Sequence, residues 1–274
     1  MGKIVTALAT SHTPSIFANR HTTDDPKWRR IHAGFDTLRH HLQAGQPNVL
    51  LWIWDDHIHN FFYNQFPAFG IGVASQYKLY PEGALTPPWE SIPGHAELGM
   101  YLAEEGLRVG FDWTIMHEAA VDHGITVPMP YLCPEHNIPI VPIFVNCLIP
   151  PLPTPKRCYE LGQCLGQALQ RWPGTERIGL VATGGLSHDL VSEKQGFVDE
   201  ELDREVLRFL EEGPRAALAE ISDERMVQSG NGTAEIRNWI VLAGALPERA
   251  RGTVVAYEAM AITGTAQAIF DCAV

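Results

Sequence analysis

The chain has 274 residues, 45% of them hydrophobic and 9% aromatic, enough to bury about 70–75% of its unfolded surface without disulfide or metal staples, which excludes a disordered chain or a coiled-coil rod. Twenty basic side chains against 32 acidic ones leave a formal charge of -12, and with Lys27-Trp28-Arg29-Arg30 as the one short basic run this disfavours a nucleic-acid partner. Five cysteines (Cys133, Cys147, Cys158, Cys164, Cys272) form no C-x-x-C pair and read as buried or partly buried thiols; no run reaches the roughly 20 apolar residues of a membrane span, and the short apolar start is no signal peptide, so the cytoplasm is the expected location.

Lys3 to Thr10 predicts a buried strand, and Asn48 to Trp54 a second. Between them Trp28, Ile31, Phe35, Leu38 and Leu42 recur at steps of three and four, which predicts a helix over 27–44 and makes the segment a crossover unit. A helix follows at 95–107 and a strand at 113–117. The apolar run Ile138 to Val145 is interrupted by Pro139 and Pro142. A helix at 156–171 leads to a strand at 177–183 and the polar turn Gly184-Gly185-Leu186-Ser187-His188. Helices at 196–211, 214–220 and 234–245 precede strands at 253–260 and 265–271. The alternation predicts an α/β fold, one domain over 1–274, with a central mixed, largely parallel sheet flanked by helices. The proline-rich stretches 80–93 and 150–155 read as ordered loops over the sheet. Neither G-x-G-x-x-G, a P-loop nor G-x-S-x-G is present, so the common nucleotide and serine-hydrolase signatures are missing.

Several of the twelve histidines stand just past strand ends. Ser11-His12 follows the first strand, Asp55-Asp56-His57-Ile58-His59 the second, and Ser187-His188-Asp189 the strand at 177–183; Asp122-His123 follows a further one. Ligands of open α/β sheets gather outside the carboxyl ends of the strands, so these segments converge on one crevice. Glu235 opens the helix after Ser229-Gly230-Asn231-Gly232 and supplies a carboxylate, either as a ligand or as a solvated helix-start acid. Two imidazoles and a carboxylate make the facial triad of ferrous sites; catalytic zinc accepts the same set. His59 competes with His57, although strand alternation points it the other way. Asp56 either orients a ligand histidine or caps the turn. Tyr63, Trp89 and Trp239 are pocket candidates with core packing as the default, and His95 either caps or lines the helix after Pro93-Gly94.

Taken together, Ser11-His12-Thr13-Pro14, Asp56-His57, Thr114-Ile115-Met116, Val121-Asp122-His123-Gly124-Ile125-Thr126-Val127-Pro128, the Gly184 to His188 turn and the glycine-rich approach to Glu235 resemble the class III extradiol ring-cleavage dioxygenases. The pattern is similar to the catalytic beta subunit of protocatechuate 4,5-dioxygenase and to the gallate and methylgallate enzymes, over nearly the whole chain. The resemblance implies Fe(II) held by His12, His57 and Glu235, His188 as the catalytic base and His123 as a second-sphere donor. It implies a small aromatic diol and O2 as partners, with ring opening, no organic cofactor, a homodimer, and in some relatives a small companion subunit. Three other readings share these residues: cleavage of an aminophenol or dihydroxypyridine, a zinc-dependent hydrolase, and a noncatalytic companion subunit.

Overall fold

A computed structural model describes residues 3–272. Strand β1 (Lys3–Thr10) leads through the short helix α1 (Pro14–Ala18) to the long helix α2 (Pro26–Gly45) and into β2 (Val49–Trp54). Strands β3 (Phe69–Gly72), β4 (Gln76–Leu79) and β5 (Ser91–Pro93) precede helix α3 (Ala96–Arg108); β6 (Thr114–Met116) and β7 (Ala120–Val121) lead into the single turns α4 (His123–Thr126) and α5 (Met129–Leu132). There follow β8 (Ile140–Val145), α6 (Pro155–Arg171), β9 (Arg177–Thr183), α7 (Glu200–Glu211), α8 (Asp223–Gln228), α9 (Ile236–Ala245), β10 (Arg251–Ala259) and β11 (Gly264–Asp271).

Among the described residues an eight-stranded sheet has the order β10-β11-β1-β9-β2-β8-β3-β6, and β5-β4-β7 forms a smaller one. The centre β1-β9-β2-β8 is parallel, and antiparallel pairings begin at β11 on one side and β3 on the other. The expected mixed sheet is therefore present, and its four central strands end on one side. Strand β2, Val-Leu-Leu-Trp-Ile-Trp, is buried on both faces. By the period of two, Val49, Leu51 and Ile53 join the core under α3, α6 and α9, while Leu50, Trp52 and Trp54 join the core under α2.

Helix α2 begins where Asp25 accepts a hydrogen bond from Lys27 N at 2.7 Å and Pro26 fills the first turn. Helix α6 starts in the same way, on Thr154 and Pro155. The helix expected from 196 begins only at Glu200, because Asp199 accepts from Leu202 N at 3.1 Å and sets the cap there. Residues Arg215–Glu220 form a 3-10 turn rather than an α-helix; six residues after a proline are too few for a regular α-helix to gain much. The interrupted run at 138–145 is a central strand: β3 pairs with Ile143, Phe144 and Val145, so Pro142 stands just beyond that ladder. No helix of the described residues is long and apolar enough to cross a membrane.

Candidate metal centre

The carboxyl ends of the parallel strands carry the polar residues of the site. Ser11 is locked to β11, its N donating to Ala266 O and its Oγ accepting from Ala266 N, and this fixes the exit of His12 from β1. Asp55 and His57 leave β2, His188 follows β9, and Glu235 arrives from the turn that opens α9. Gly232 packs against the His188 ring so closely that any Cβ there would occupy the imidazole, and Gly232 N donates to His188 O at 3.0 Å. The glycine-rich approach to Glu235 thus serves close backbone contact.

His12, Asp55, His57 and Glu235 each bring one donor atom within 4.8 Å of the others, and His12, His57 and His123 do the same. Nε2 of His12 lies 3.4 Å from Glu235 Oε2, and Nε2 of His57 lies 3.9 Å from Glu235 Oε1. The rings of His57 and His123 are 3.8 Å apart, centre to centre. His57 donates from Nδ1 to Asp122 Oδ2 at 2.9 Å, and its backbone N donates to the same oxygen at 2.9 Å. The ring therefore turns Nε2 toward Glu235, in the carboxylate-supported orientation that metal-binding histidines commonly adopt.

Burial, resisted by Glu235, lowers His12 to about 3, so it presents a neutral ring. Burial also works against charge on His57, but the carboxylates of Asp122, Asp55 and Glu235 outweigh it and push His57 up to about 10. Burial and the neighbouring Glu235 hold the Asp55 carboxyl well above the ordinary range. Glu235 and Asp122 lie on the other side: burial opposes their charge, and the surrounding histidines bring both below the ordinary carboxylate range. A buried cluster of this kind needs positive charge among its carboxylates. The His57 ring, protonated between its carboxylates, carries that charge; a divalent cation takes its place and releases the proton as it binds, and two imidazoles with carboxylates are donors that suit such an ion.

His188 is buried, and its Nδ1 donates to Leu186 O at 2.8 Å. A neutral ring then keeps its lone pair on Nε2, 3.3 Å from Glu235 Oε1. Burial disfavours charge there, yet Glu235 and the Leu186 carbonyl raise His188 above the ordinary imidazole value. His123 is clamped twice by Glu82, which accepts from its backbone N at 2.6 Å and from Nδ1 at 2.7 Å.

All five residues expected from the sequence, His12, His57, His123, His188 and Glu235, meet at this one place. Asp56 proves to be a turn cap, accepting from the backbone N of His59, Asn60 and Phe61. Orientation of His57 falls to Asp122 instead. His59 stands outside the His12 group, bonded to Glu82 Oε1 at 3.2 Å and stacked on Tyr80. His95 caps α3 through Leu98 N, as expected. Trp239 is core, Trp89 stacks on His136, and Tyr63 is 77% exposed. Asp55, Glu82, Asp122 and Asn238 have roles here that no sequence motif assigned. Asp55 stood beside a candidate histidine and had a signal; Glu82, in a proline-rich loop, had none.

A parallel-centred α/β sheet with two imidazoles and a carboxylate gathered outside its strand ends defines an α/β protein with residues that could hold a metal ion. The chain belongs to the family described as the catalytic LigB subunit of aromatic ring-opening dioxygenase, whose model matches residues 6–270. It is 31% identical over 183 residues to gallate dioxygenase of Pseudomonas putida, covering 66% of this chain and 54% of that protein. It is 32% identical over 204 residues to the 2,3-dihydroxyphenylpropionate/2,3-dihydroxicinnamic acid 1,2-dioxygenase of Photorhabdus laumondii, covering 73% of this chain and 61% of the relative. The chain thus spans less than two thirds of the length of either of these relatives. The enzyme of the same name from Paraburkholderia xenovorans is 28% identical over 262 residues, with 79% of this chain and 80% of the relative covered. The crystal structure of an uncharacterized protein, JW3007, from Escherichia coli K12 shares the fold with a TM-score of 0.60 at 17% identity, covering 96% of this chain and 99% of that one.

Proposed function

We propose that this chain is a ferrous-iron extradiol dioxygenase that opens a catecholic ring with both atoms of O2. The observation that carries the reading is the convergence of His12, His57 and Glu235 beside His188, whose Nδ1 is committed to a carbonyl and whose Nε2 is left to accept a proton. In this reading His12 Nε2, His57 Nε2 and Glu235 hold the ion, with Asp122 fixing the His57 ring. Ferrous iron in such a triad gathers a diol and O2 on one centre and lets electron density pass between them.

The remaining work belongs to the chain. His188 Nε2 takes the proton of a substrate hydroxyl, and the Glu235 carboxylate stabilises the resulting imidazolium. His123 donates from Nε2 only when it carries a proton there, since Nδ1 already donates to Glu82; that proton makes an ion pair with Glu82 across the ring. Burial of His12, Asp55, Asp122, His188 and Glu235 keeps bulk water from these transfers.

The ring substituents follow from the relatives' names only as a class. Gallate and dihydroxyphenylpropionate are both carboxylated vicinal diols, and a carboxylated catechol is the substrate we propose. The chain is read as one domain, because both hydrophobic cores share one sheet, and as a cytoplasmic homodimer. The test is a substrate panel under air with the Fe(II)-loaded protein: protocatechuate, gallate, methylgallate, plain catechols, aminophenols and dihydroxypyridines, followed by the absorbance of the ring-opened product. Turnover of a carboxylated diol, lowered by about 10²–10⁴-fold in His188→Ala, is the expected result. Turnover of an aminophenol or dihydroxypyridine alone moves the substrate class while keeping the site, and hydrolysis with zinc and without O2 overturns the dioxygenase reading.

A further inference from the structure

Asp55 is buried at the end of β2, and its two oxygens are in different situations. Oδ1 accepts a hydrogen bond from Asn238 Nδ2 at 2.6 Å, and Asn238 is itself anchored to Thr183 O at 2.7 Å. Oδ2 faces His57 Nε2 at 3.6 Å, beyond hydrogen-bond length, and among the described residues it takes part in no hydrogen bond. The atoms around it are in the same position. His57 has committed Nδ1 to Asp122, so a proton on its Nε2 finds no partner within hydrogen-bond distance, with Asp55 at 3.6 Å and Glu235 at 3.9 Å. Buried lone pairs and carboxylate oxygens that face one another without bridging protons are costly unless a cation lies among them.

Spacing supports the same conclusion. Metal bonds to imidazole nitrogen or carboxylate oxygen are about 2.0–2.2 Å long, so two donors on one ion lie roughly 3 Å apart at right angles and roughly 4 Å apart across it. The His12–Glu235, Asp55–His57 and His57–Glu235 separations of 3.4, 3.6 and 3.9 Å fall inside those limits, and every donor pair of the four residues lies within 4.8 Å. Asp55 Oδ2 stands in this set on the same terms as the three residues assigned above.

We infer that Asp55 Oδ2 is a fourth protein donor to the ion of this site, held for that role by Asn238. The chain then offers two imidazoles and two carboxylates, which neutralises a divalent cation fully and favours hard ions such as Fe(II) and Mn(II). On a roughly six-coordinate ion it leaves two open positions, enough for a bidentate diol, so Asp55 would have to give way for O2 to bind as well. The inference rests on the metal-centre reading above and is tested so that the two can fail separately.

The experiment loads the full chain, stripped of metal, with Mn(II) alone under anaerobic conditions. Affinity is read by titration, and bound water is counted from the broadening of the Mn(II) resonance in 17O-water, for wild type and for Asp55→Ala. The expected result is that Asp55→Ala binds Mn(II) at least about tenfold more weakly and carries one more water than wild type. An equal water count in both proteins, with only the affinity lowered, overturns the inference and leaves Asp55 bonded to a metal-bound water. Wild type alone decides if the variant does not fold: on a roughly six-coordinate ion, three waters leave room for only three protein donors and overturn it, whereas two support it. A wild type that binds no Mn(II) and no Fe(II) overturns the metal-centre reading itself.

Discussion

The α6–α9 face and the carboxyl ends of the parallel strands belong to the same sheet and are built by opposite rules. Where α6 crosses α9, small residues let the backbones touch: a Cβ on Gly162 would press on Val241 O and stand 2.8 Å from Gly244 Cα, and one on Gly166 would stand 2.6 Å from Ala245 O. That region contains apolar side chains fitted without spare room, and its contribution is stability. At the strand ends, His57 Nε2 faces carboxylate oxygens of Asp55 and Glu235 at 3.6 and 3.9 Å, too long for hydrogen bonds, with His12 in the same cluster. An arrangement that breaks the rule of satisfied buried polar groups persists only where something else completes it. The difference separates what holds this protein together from what it holds.

Substitutions should respect that separation. The largest effect belongs to Glu235→Ala, which removes a proposed ligand and the partner of His188 together; activity falls by more than about 10³-fold and bound iron, measured by elemental analysis, is lost while the far-ultraviolet circular dichroism is kept. His188→Ala retains iron and lowers kcat by about 10²–10⁴-fold, the range for losing a general base; iron loss in this variant would blur the division of labour proposed for the site. Asp122→Asn weakens Fe(II) binding by about 10–100-fold, because it removes the support of the His57 ring, and a competition titration reads it. Gly162→Ala does the reverse, costing about 1–3 kcal/mol of stability by overpacking the helix pair with no change in metal affinity; a drop in affinity equal to that of Asp122→Asn would erase the comparison.

The smallest effect concerns Asp203, whose Oδ1 accepts from Ser187 N at 2.7 Å and whose Oδ2 accepts from the Tyr257 hydroxyl at 2.9 Å, behind the His188 turn. Burial raises this carboxyl to about 6, against the bonds from Ser187 and Tyr257. Its folded-state value lies above its unfolded one, so its contribution to stability is complete below the ordinary aspartate value and is lost as pH rises through about 6. The loss is at most about 3 kcal/mol. Thermal melts of Asp203→Asn between about pH 4 and pH 7 should therefore show a shallower decline with rising pH than wild type.

The parts of this architecture that were legible in the sequence are those governed by local pattern. Asn48 to Trp54 reads as a buried strand from its apolar run, and residues 27–44 as an amphipathic helix from steps of three and four, so the crossover and the strand ends followed. His12, His57 and His188 were then placed by the rule that ligands collect beyond parallel strands. What the sequence hid is long-range or very short. Asp122 serves His57 across 65 residues, while the adjacent Asp56 is occupied by its own turn. Glu82 reaches His123 from a loop without periodicity. Strands β4, β5 and β7, of two to four residues, are too short to carry an alternation. Asp55 shows the same limit, since its neighbour Asn238 lies 183 residues away.

The most direct test of the central claim is oxygen uptake by the chain after anaerobic reconstitution with Fe(II), measured against the amount of diol ring opened, beside the same protein loaded with Zn(II). The account predicts one O2 consumed per ring opened with Fe(II) and none with Zn(II). Equal turnover with Zn(II), or turnover of any substrate without oxygen uptake, would contradict it.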